Sequence, residues 1–280
     1  MTTMPPPPAL PAQPAPPAPG PVLDVSGTGP IPFWRLVLVE LRKSYDTRAG
    51  FWLLATIAIL VSLVEAVIMI TTLVNDSYVY FEDFAGTAGG IASILLPVLG
   101  IILVTSEWGQ RTAMVTFAIE PRRSRVVLAK LVVGAVASIV TVAVMLLVGL
   151  VCTLVCEALQ PDLTYWEMEW WLPLAFIITM TLTMTVGFSM AALLLNTPAA
   201  IVVFFLYWYA LAIVLFVIAD LISGFEEIAP WINFQAALDP VWSWSMETAE
   251  EWGQLIVSAG LWIALPLGLG LWRIVHAEVK

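Results

Sequence analysis

One stretch of the sequence decides the fold: residues 126–156 read VVLAKLVVGAVASIVTVAVMLLVGLVCTLVC. Its only charged residue is Lys130, close to the start. A helix needs about 20 apolar residues to cross the roughly 30 Å hydrocarbon core of a bilayer. The stretch is long enough to span a membrane, and its length predicts a helix that extends beyond the bilayer.

Five further stretches of sufficient length surround it. The chain is 60% hydrophobic and 11% charged, with a mean hydropathy of +0.94, which makes it far more apolar than a soluble domain. We therefore predict an all-α polytopic membrane protein with six transmembrane helices. The predicted spans are residues 50–74, 84–105, 126–156, 171–195, 198–222 and 255–274.

The basic residues predict how these spans are oriented. All eleven fall in segments on one side of the predicted membrane: Arg35, Arg42, Lys43, Arg48, Arg111, Arg122, Arg123, Arg125, Lys130, Arg273 and Lys280. Cytoplasmic loops retain Lys and Arg, whereas Asp and Glu contribute little to orientation. We therefore predict that both termini are cytoplasmic, with a basic inner face and an acidic outer face.

Segments outside the spans have distinct compositions. Residues 1–32 hold twelve of the twenty prolines and predict a disordered cytoplasmic tail, either a low-complexity extension or a docking ligand. Residues 33–48 place apolar side chains opposite a basic side that includes Lys43, which predicts an interfacial amphipathic helix. Residues 223–254 mix acids with apolar and aromatic residues and predict short helices in the outer leaflet. The six-helix membrane domain is expected over residues 49–280.

Several classes of site are excluded by the motifs that the chain lacks. No GxxxxGK[ST] loop and no nucleophile elbow occur, and His276 is the single histidine. Cys152 and Cys156 are four residues apart on one helix face, which suits packing better than metal binding. We therefore expect no catalytic residue, no metal site and no nucleic-acid partner in this chain, and we expect the lipid bilayer to surround it.

The connection between the second and third predicted spans has a more specific sequence pattern than is needed to orient the chain in the membrane. Residues 106–130 read SEWGQRTAMVTFAIEPRRSRVVLAK and hold five of the eleven basic residues. Glu107 follows the second span, a short apolar stretch runs over residues 113–119, and Pro121 interrupts it before an arginine cluster. This arrangement predicts a short helix along the membrane surface that ends before the third span.

The connection resembles the loop after the second helix in permease subunits of the ABC type-2 transporter family, particularly actinobacterial members. The shared pattern is E-[WY]-x-x-[RG]-T, a short helix, P-R-R and A-K. The residues that carry it are Glu107, Trp108, Arg111, Thr112, Pro121, Arg122, Arg123, Ala129 and Lys130. The layout of residues 33–280 is similar too, from the interfacial helix to the Gly-Leu-Trp-Arg ending at residues 270–273, whereas the tail lies outside the resemblance.

This resemblance implies the permease subunit of an exporter in the plasma membrane of a bacterium, similar to actinobacterial proteins. Such a subunit pairs with a second permease copy, identical or homologous, and with separate ABC ATPase subunits. The chain is then not an enzyme and binds no cofactor, because ATP and Mg are held by the ATPase. Residues 106–125 form the coupling loop, and the residues implied in coupling are Glu107, Trp108, Arg111, Thr112, Phe117, Pro121, Arg122, Arg123 and Lys130.

Polar residues within the spans are candidates for a substrate path. Glu65 is the one ionisable residue deep in a span, where an acid costs about 2.5–3.5 kcal/mol on insertion scales. It is either part of a substrate or proton path or a neutral acid that holds helices together. Thr181, Thr185 and Ser189 share one face of the fourth span, and they either line a path or bond their own backbone.

Two other functions stay open on the sequence alone. Glu65 is compatible with an ion- or proton-coupled secondary carrier, although no inverted repeat or broken helix pair is evident. The proline-rich tail is compatible with a non-transporting membrane scaffold that recruits partners.

Small residues also recur at a spacing of four. They are Gly86 with Gly90 and Gly89 with Ser93 in the second span, and Gly260, Ala264 and Gly268 in the sixth. Such faces let helix backbones touch, so we expect close packing, either within the bundle or between two permeases.

Overall fold

The computed structural model describes residues 31–110 and 112–276. Its α-helices are α1 (Phe33–Asp46), α2 (Arg48–Asn75), α3 (Phe81–Gly109), α4 (Ala113–Ile119), α5 (Arg123–Leu159), α6 (Leu172–Leu194), α7 (Thr197–Leu221), α8 (Phe225–Ile232), α9 (Phe234–Trp242) and α10 (Ala249–His276). Two short strands, β1 (Val79–Tyr80) and β2 (Thr164–Tyr165), pair in parallel and join the α2–α3 and α5–α6 connections. The predicted tail lies almost wholly outside the described residues.

Six of these helices are long and apolar enough to cross a membrane. They are α2, α3, α5, α6, α7 and α10, so the all-α, six-span prediction is confirmed. The sixth begins at Ala249 rather than near residue 255. The Thr248 hydroxyl accepts from the Glu251 backbone N–H, and the Glu251 carboxylate accepts from the Thr248 N–H, a reciprocal cap that starts the helix earlier.

The centre of the bundle is the contact between α3 and α6. A Cβ at Gly187 would lie 2.7 Å from the Pro97 carbonyl oxygen, and a Cβ at Gly100 would lie 2.8 Å from that of Met184. Each glycine therefore lets the facing backbone approach more closely than a side chain would allow. Gly270 of α10 meets α6 in the same way, with Ala192 carbon and oxygen atoms at 2.5 and 2.7 Å.

The small-residue faces expected from sequence are not where the backbones meet. A Cβ at Gly86, Gly90, Gly260 or Gly268 would touch nothing within 4 Å. The expectation that these four glycines pack against a neighbouring helix of the bundle is therefore wrong. Gly86 and Gly90 instead line a cavity, and Gly260 and Gly268 leave open space beside α10. Gly89 does pack within the bundle, since a Cβ there would lie 2.6 Å from the Phe176 ring.

Two π-helical segments shape the second half of the bundle. Residues Leu206–Leu211 of α7 and Gly260–Ala264 of α10 widen locally, and Tyr207 stacks on Trp262 with ring centroids 3.7 Å apart. The Phe234 N–H donates to the Tyr207 hydroxyl, and the Trp262 indole N–H donates to the Ile232 carbonyl. These two hydrogen bonds attach the junction between α8 and α9 to α7 and α10.

The two ends of the bundle differ in chemistry. One end, which we call the charged end, holds α4 together with the side chains of Glu40, Lys43, Glu107 and Lys130. The other, which we call the opposite end, holds β1, β2, α8 and α9. Tryptophans gather there, with Trp171 stacked on Trp244 and Trp242 edge-on to Phe176.

The α3–α6 contact predicts a specific sensitivity to an added methyl group. We expect Gly187→Ala to lower the free energy of unfolding by about 1–3 kcal/mol, because the new Cβ meets backbone that cannot move aside. Thermal unfolding of the purified chain in detergent measures the change. Gly90→Ala is the matched control, since its Cβ meets no atom within 4 Å, and equal unfolding temperatures for the two variants would contradict the close-contact account.

Candidate functional site

A cluster of four charged side chains joins three helices at the charged end. The Lys130 ammonium of α5 lies 2.6 Å from a Glu40 carboxylate oxygen of α1 and 3.4 Å from Glu107 of α3. The Lys43 ammonium lies 2.7 Å from Glu40 and 2.8 Å from Glu107. Each carboxylate thus contacts both ammonium groups, and the cluster has no net charge.

Burial makes this charge balance necessary. Glu40, Glu107 and Lys130 are 2%, 7% and 5% exposed, and an isolated ion in such surroundings is costly. Burial on its own would lower the pKa of Lys43, but hydrogen bonds and charge attraction from Glu107 and Glu40 outweigh it and raise that pKa above its ordinary value. The ammonium of Lys43 therefore stays charged at neutral pH.

Helix α4 is attached to this cluster through Glu107. The Thr116 hydroxyl of α4 donates to the same Glu107 oxygen that Lys43 contacts, at 2.9 Å. The Trp108 and Phe117 rings lie 6.2 Å apart at a tilted angle. A polar bond and an aromatic contact therefore fix α4 against the last turn of α3.

The arginines after α4 attach it to two further helices. The Arg123 guanidinium lies over the Phe117 ring, 5.0 Å from its centroid, and donates to the Ile274 carbonyl of α10 at 2.5 Å. Glu120, at the end of α4, accepts from the Arg122 backbone N–H and forms an ion pair with Arg125 at 2.6 Å. These contacts close the turn around Pro121 and connect α4 to the start of α5.

One side of α4, which we call its outer side, is apolar and exposed. Met114, Val115 and Ile119 are 47%, 62% and 65% exposed, whereas Ala113 is 2% exposed. Pro121 and Arg122 are exposed directly after them. This surface belongs to a seven-residue helix, which is far too short to cross a bilayer.

The structure separates the predicted coupling residues into two kinds. Glu107, Trp108, Phe117, Arg123 and Lys130 are brought together as the contacts that hold α4 in place. Thr112, Pro121 and Arg122 lie at the two ends of α4 and are exposed. Arg111 lies outside the described residues.

Sequence reasoning missed Glu40 and Glu120 and misplaced Lys43. The sequence pattern places Lys43 on the basic side of the first helix, opposite the apolar residues, whereas its ammonium contacts the buried cluster. Glu40 follows Leu36 by one turn, and those two are the buried residues of α1. The sequence does contain a signal for Glu40, because it is an acid on the apolar side of an amphipathic helix.

The predicted substrate-path residues lie apart from this cluster. Glu65 is fully buried in α2, and neither of its oxygens has a hydrogen-bond partner among residues 31–110 and 112–276. On α6, Thr185 donates to the Thr181 carbonyl and Ser189 to the Thr185 carbonyl, both at 2.7 Å. These two hydroxyls bond their own backbone, the second of the two uses considered for them. The described residues contain no group of three His, Cys, Asp or Glu side chains that could hold a metal.

The four-charge cluster predicts a large cost for removing one acid. We expect Glu40→Gln to lower the free energy of unfolding by about 3–5 kcal/mol, because Lys130 is left buried without its closest counter-charge. Chemical denaturation in detergent measures this cost. Adding Lys130→Met should restore part of the loss, since it removes the uncompensated cation.

A surface pair on the same helix provides the control. Arg42 and Asp46 are 3.6 Å apart with side chains 76% and 60% exposed, so Asp46→Asn should leave unfolding unchanged within error. If Glu40→Gln unfolds like Asp46→Asn, the cluster does not stabilise the fold.

No protein-family model matches the chain, and no curated protein matches it either. The resemblance of residues 106–130 to ABC type-2 permeases therefore depends on those residues and on the order of the segments. What the chain does must be argued from the charge cluster, from α4 and from the spans.

Proposed function

We propose that the chain is the transmembrane permease subunit of an ABC type-2 exporter, with α4 as the helix that docks on a partner ATPase. One observation carries the proposal. A short helix between two spans is fixed to the bundle by buried charges, yet exposes Met114, Val115 and Ile119 to its surroundings. An exposed apolar surface of this kind, followed by an exposed arginine, is typical of a protein–protein contact.

The contacts of α4 give this proposal a mechanism. A push on α4 reaches α3 through Thr116 and Glu107, α5 through Glu120 and Arg125, and α10 through Arg123. Closure of an ATPase dimer on ATP would thus move three spans from one contact. The energy source has to be a partner, because the sequence carries no nucleotide-binding loop.

The proposal includes the orientation expected from sequence. It puts the charged end in the cytoplasm of a bacterium, with the opposite end outside and α1 at the inner interface. Trp34, Leu38 and Tyr45 of α1 are 58%, 51% and 48% exposed, which suits a helix that lies against headgroups and acyl chains. A second permease copy is proposed to complete the complex.

Changes on the outer side of α4 test the docking surface directly. We expect Met114→Ser combined with Ile119→Ser to abolish co-purification with a candidate ABC ATPase from the same genome, and to abolish ATP-driven export. Folding should be unaffected, because both side chains are exposed. Affinity pull-down from detergent and ATPase assays in proteoliposomes are the measurements.

The matched control changes an exposed apolar residue of α1. Val39 is 51% exposed, and Val39→Ser should leave co-purification intact. If the α4 double variant still binds and stimulates the ATPase as the unmodified chain does, α4 is not the docking helix.

Glu65 separates the exporter from a secondary carrier. Its burial without a partner is the observation that favours a carrier, in which protonation of this acid would drive transport. The exporter proposal predicts that Glu65→Gln keeps ATP-driven export, since the amide has nearly the same shape. The carrier is favoured instead if the unmodified chain takes up substrate with a pH gradient and no ATP, and Glu65→Gln abolishes that uptake.

A further inference from the structure

A cavity of about 270 Å³ lies toward the opposite end of the bundle, among α3, α6, α7 and α9. Its polar and aromatic lining comes from Thr179, Thr183, Trp208, Gln235, Asp239 and Trp242. Gly86 and Gly90 line the α3 side, where a Cβ would meet nothing within 4 Å. Along α3, Gly90 precedes Glu107 by seventeen residues, which is roughly 26 Å of helix.

The hydroxyl groups at this cavity offer oxygen lone pairs rather than protons. Thr179 donates to the Ala175 carbonyl and Thr183 to the Thr179 carbonyl, each at 2.7 Å, and Ser93 donates to the Gly90 carbonyl at 2.8 Å. A hydroxyl has one proton to give. With that proton committed to the helix backbone, it can only accept from a ligand.

Asp239 adds a negative charge that the described residues do not balance. Among residues 31–110 and 112–276, its carboxylate has no hydrogen bond and no ion pair. The sequence has no Lys or Arg from residue 49 to 110 or from 131 to 272, so the four helices around the cavity contain no basic residue. Asp239 is exposed at the rim of the cavity, and partial desolvation raises the pKa of its carboxyl above its ordinary value.

Two indole rings complete the lining. The Trp208 ring stacks on Phe204 with centroids 5.6 Å apart, and the Trp242 ring is edge-on to Phe176 at 4.5 Å. These neighbours restrain both rings. The face of an indole attracts a cation, the more strongly when the cation is removed from water.

We infer that this cavity binds a small organic cation, with an ammonium group beside Asp239 and the indole rings and an apolar body against α3. The acceptor-only hydroxyls, the unbalanced carboxylate and the two indoles all favour a positively charged group. The volume lies just below the roughly 300–1,000 Å³ of sites for drug-sized ligands, so the ligand is small. That this cation is the exported substrate rests on the function proposed above, whereas its binding does not.

Equilibrium binding of radiolabelled benzyltrimethylammonium to the purified full chain in detergent tests the inference. We expect saturable binding, competed by unlabelled probe but not by neopentylbenzene, its neutral isostere. Asp239→Asn should weaken binding about tenfold or more. Asp162→Asn, an exposed acid elsewhere at the opposite end, should not change it.

A second pair of variants tests the location. Gly90→Leu fills the cavity from α3 and should abolish binding without harming the fold, because that position contacts no atom. Gly268→Leu makes the same change at an equally open position on α10 and should bind as the unmodified chain does. The unfolding temperature of each variant shows that it is folded.

An ammonium group can arrive on a free solute or on a lipid headgroup. Nanodiscs of phosphatidylglycerol with and without phosphatidylethanolamine distinguish the two sources. Reduced probe binding in the presence of phosphatidylethanolamine identifies the headgroup, and unchanged binding identifies a free solute; either result retains the cation site.

The inference is overturned if binding is not saturable, if neopentylbenzene competes as well as the unlabelled probe, or if Asp239→Asn and Gly90→Leu bind like their controls. None of these measurements involves an ATPase. Failure of the cation site therefore leaves the exporter proposal standing, and failure of ATPase docking leaves the cation site standing.

Discussion

Four buried charges at one end of the bundle constrain the helices around them. Glu40 and Lys43 come from α1, Glu107 from α3 and Lys130 from α5, and removing α3 or α5 would leave a charge unbalanced in a poorly solvated place. Helix α1 carries one charge of each sign and supplies the closest counter-charge to both Lys130, at 2.6 Å, and Glu107, at 2.8 Å. These ion pairs hold the helix before the first span against the bundle. Helix α4 depends on the same group, because Thr116 bonds to Glu107.

Helix α3 is the element that relates the two ends of the molecule. It carries Glu107 in its last turn and Gly86 and Gly90 near its start, and in between it contacts the α6 backbone at Gly187. Because the two backbones are in contact, the middle of α3 cannot move far unless α6 moves with it. We therefore expect a displacement of α3 at the charged end to move α6 as well. Both helices also line the cavity that contains Trp208 and Asp239.

The sequence predicted the six spans because each depends on a run of apolar residues, a local property. It could not identify the partners of Glu40, since Lys130 is ninety positions away in the chain and nothing local marks the pair. The glycine pattern misled for a related reason: Gly86 and Gly90 have the spacing of a packing face, yet contact depends on where the neighbouring helix runs. Gly100, which does meet backbone, has no small residue four positions away. The cavity could not be predicted either, because Asp239 reaches it only through the placement of α9 by Tyr207 and Trp262.

The separation of Glu40 from Lys130 also sets an order of events during synthesis. Lys130 follows Glu40 by ninety positions, and at about 5–20 residues per second the ribosome needs about 5–18 seconds to extend the chain from one to the other. Lys43 is available to Glu40 from the start, whereas Glu107 and Lys130 emerge later, the second of them with the third span. The first helix therefore has an incomplete set of counter-charges until Lys130 is made, and by then three of the six spans have begun to emerge.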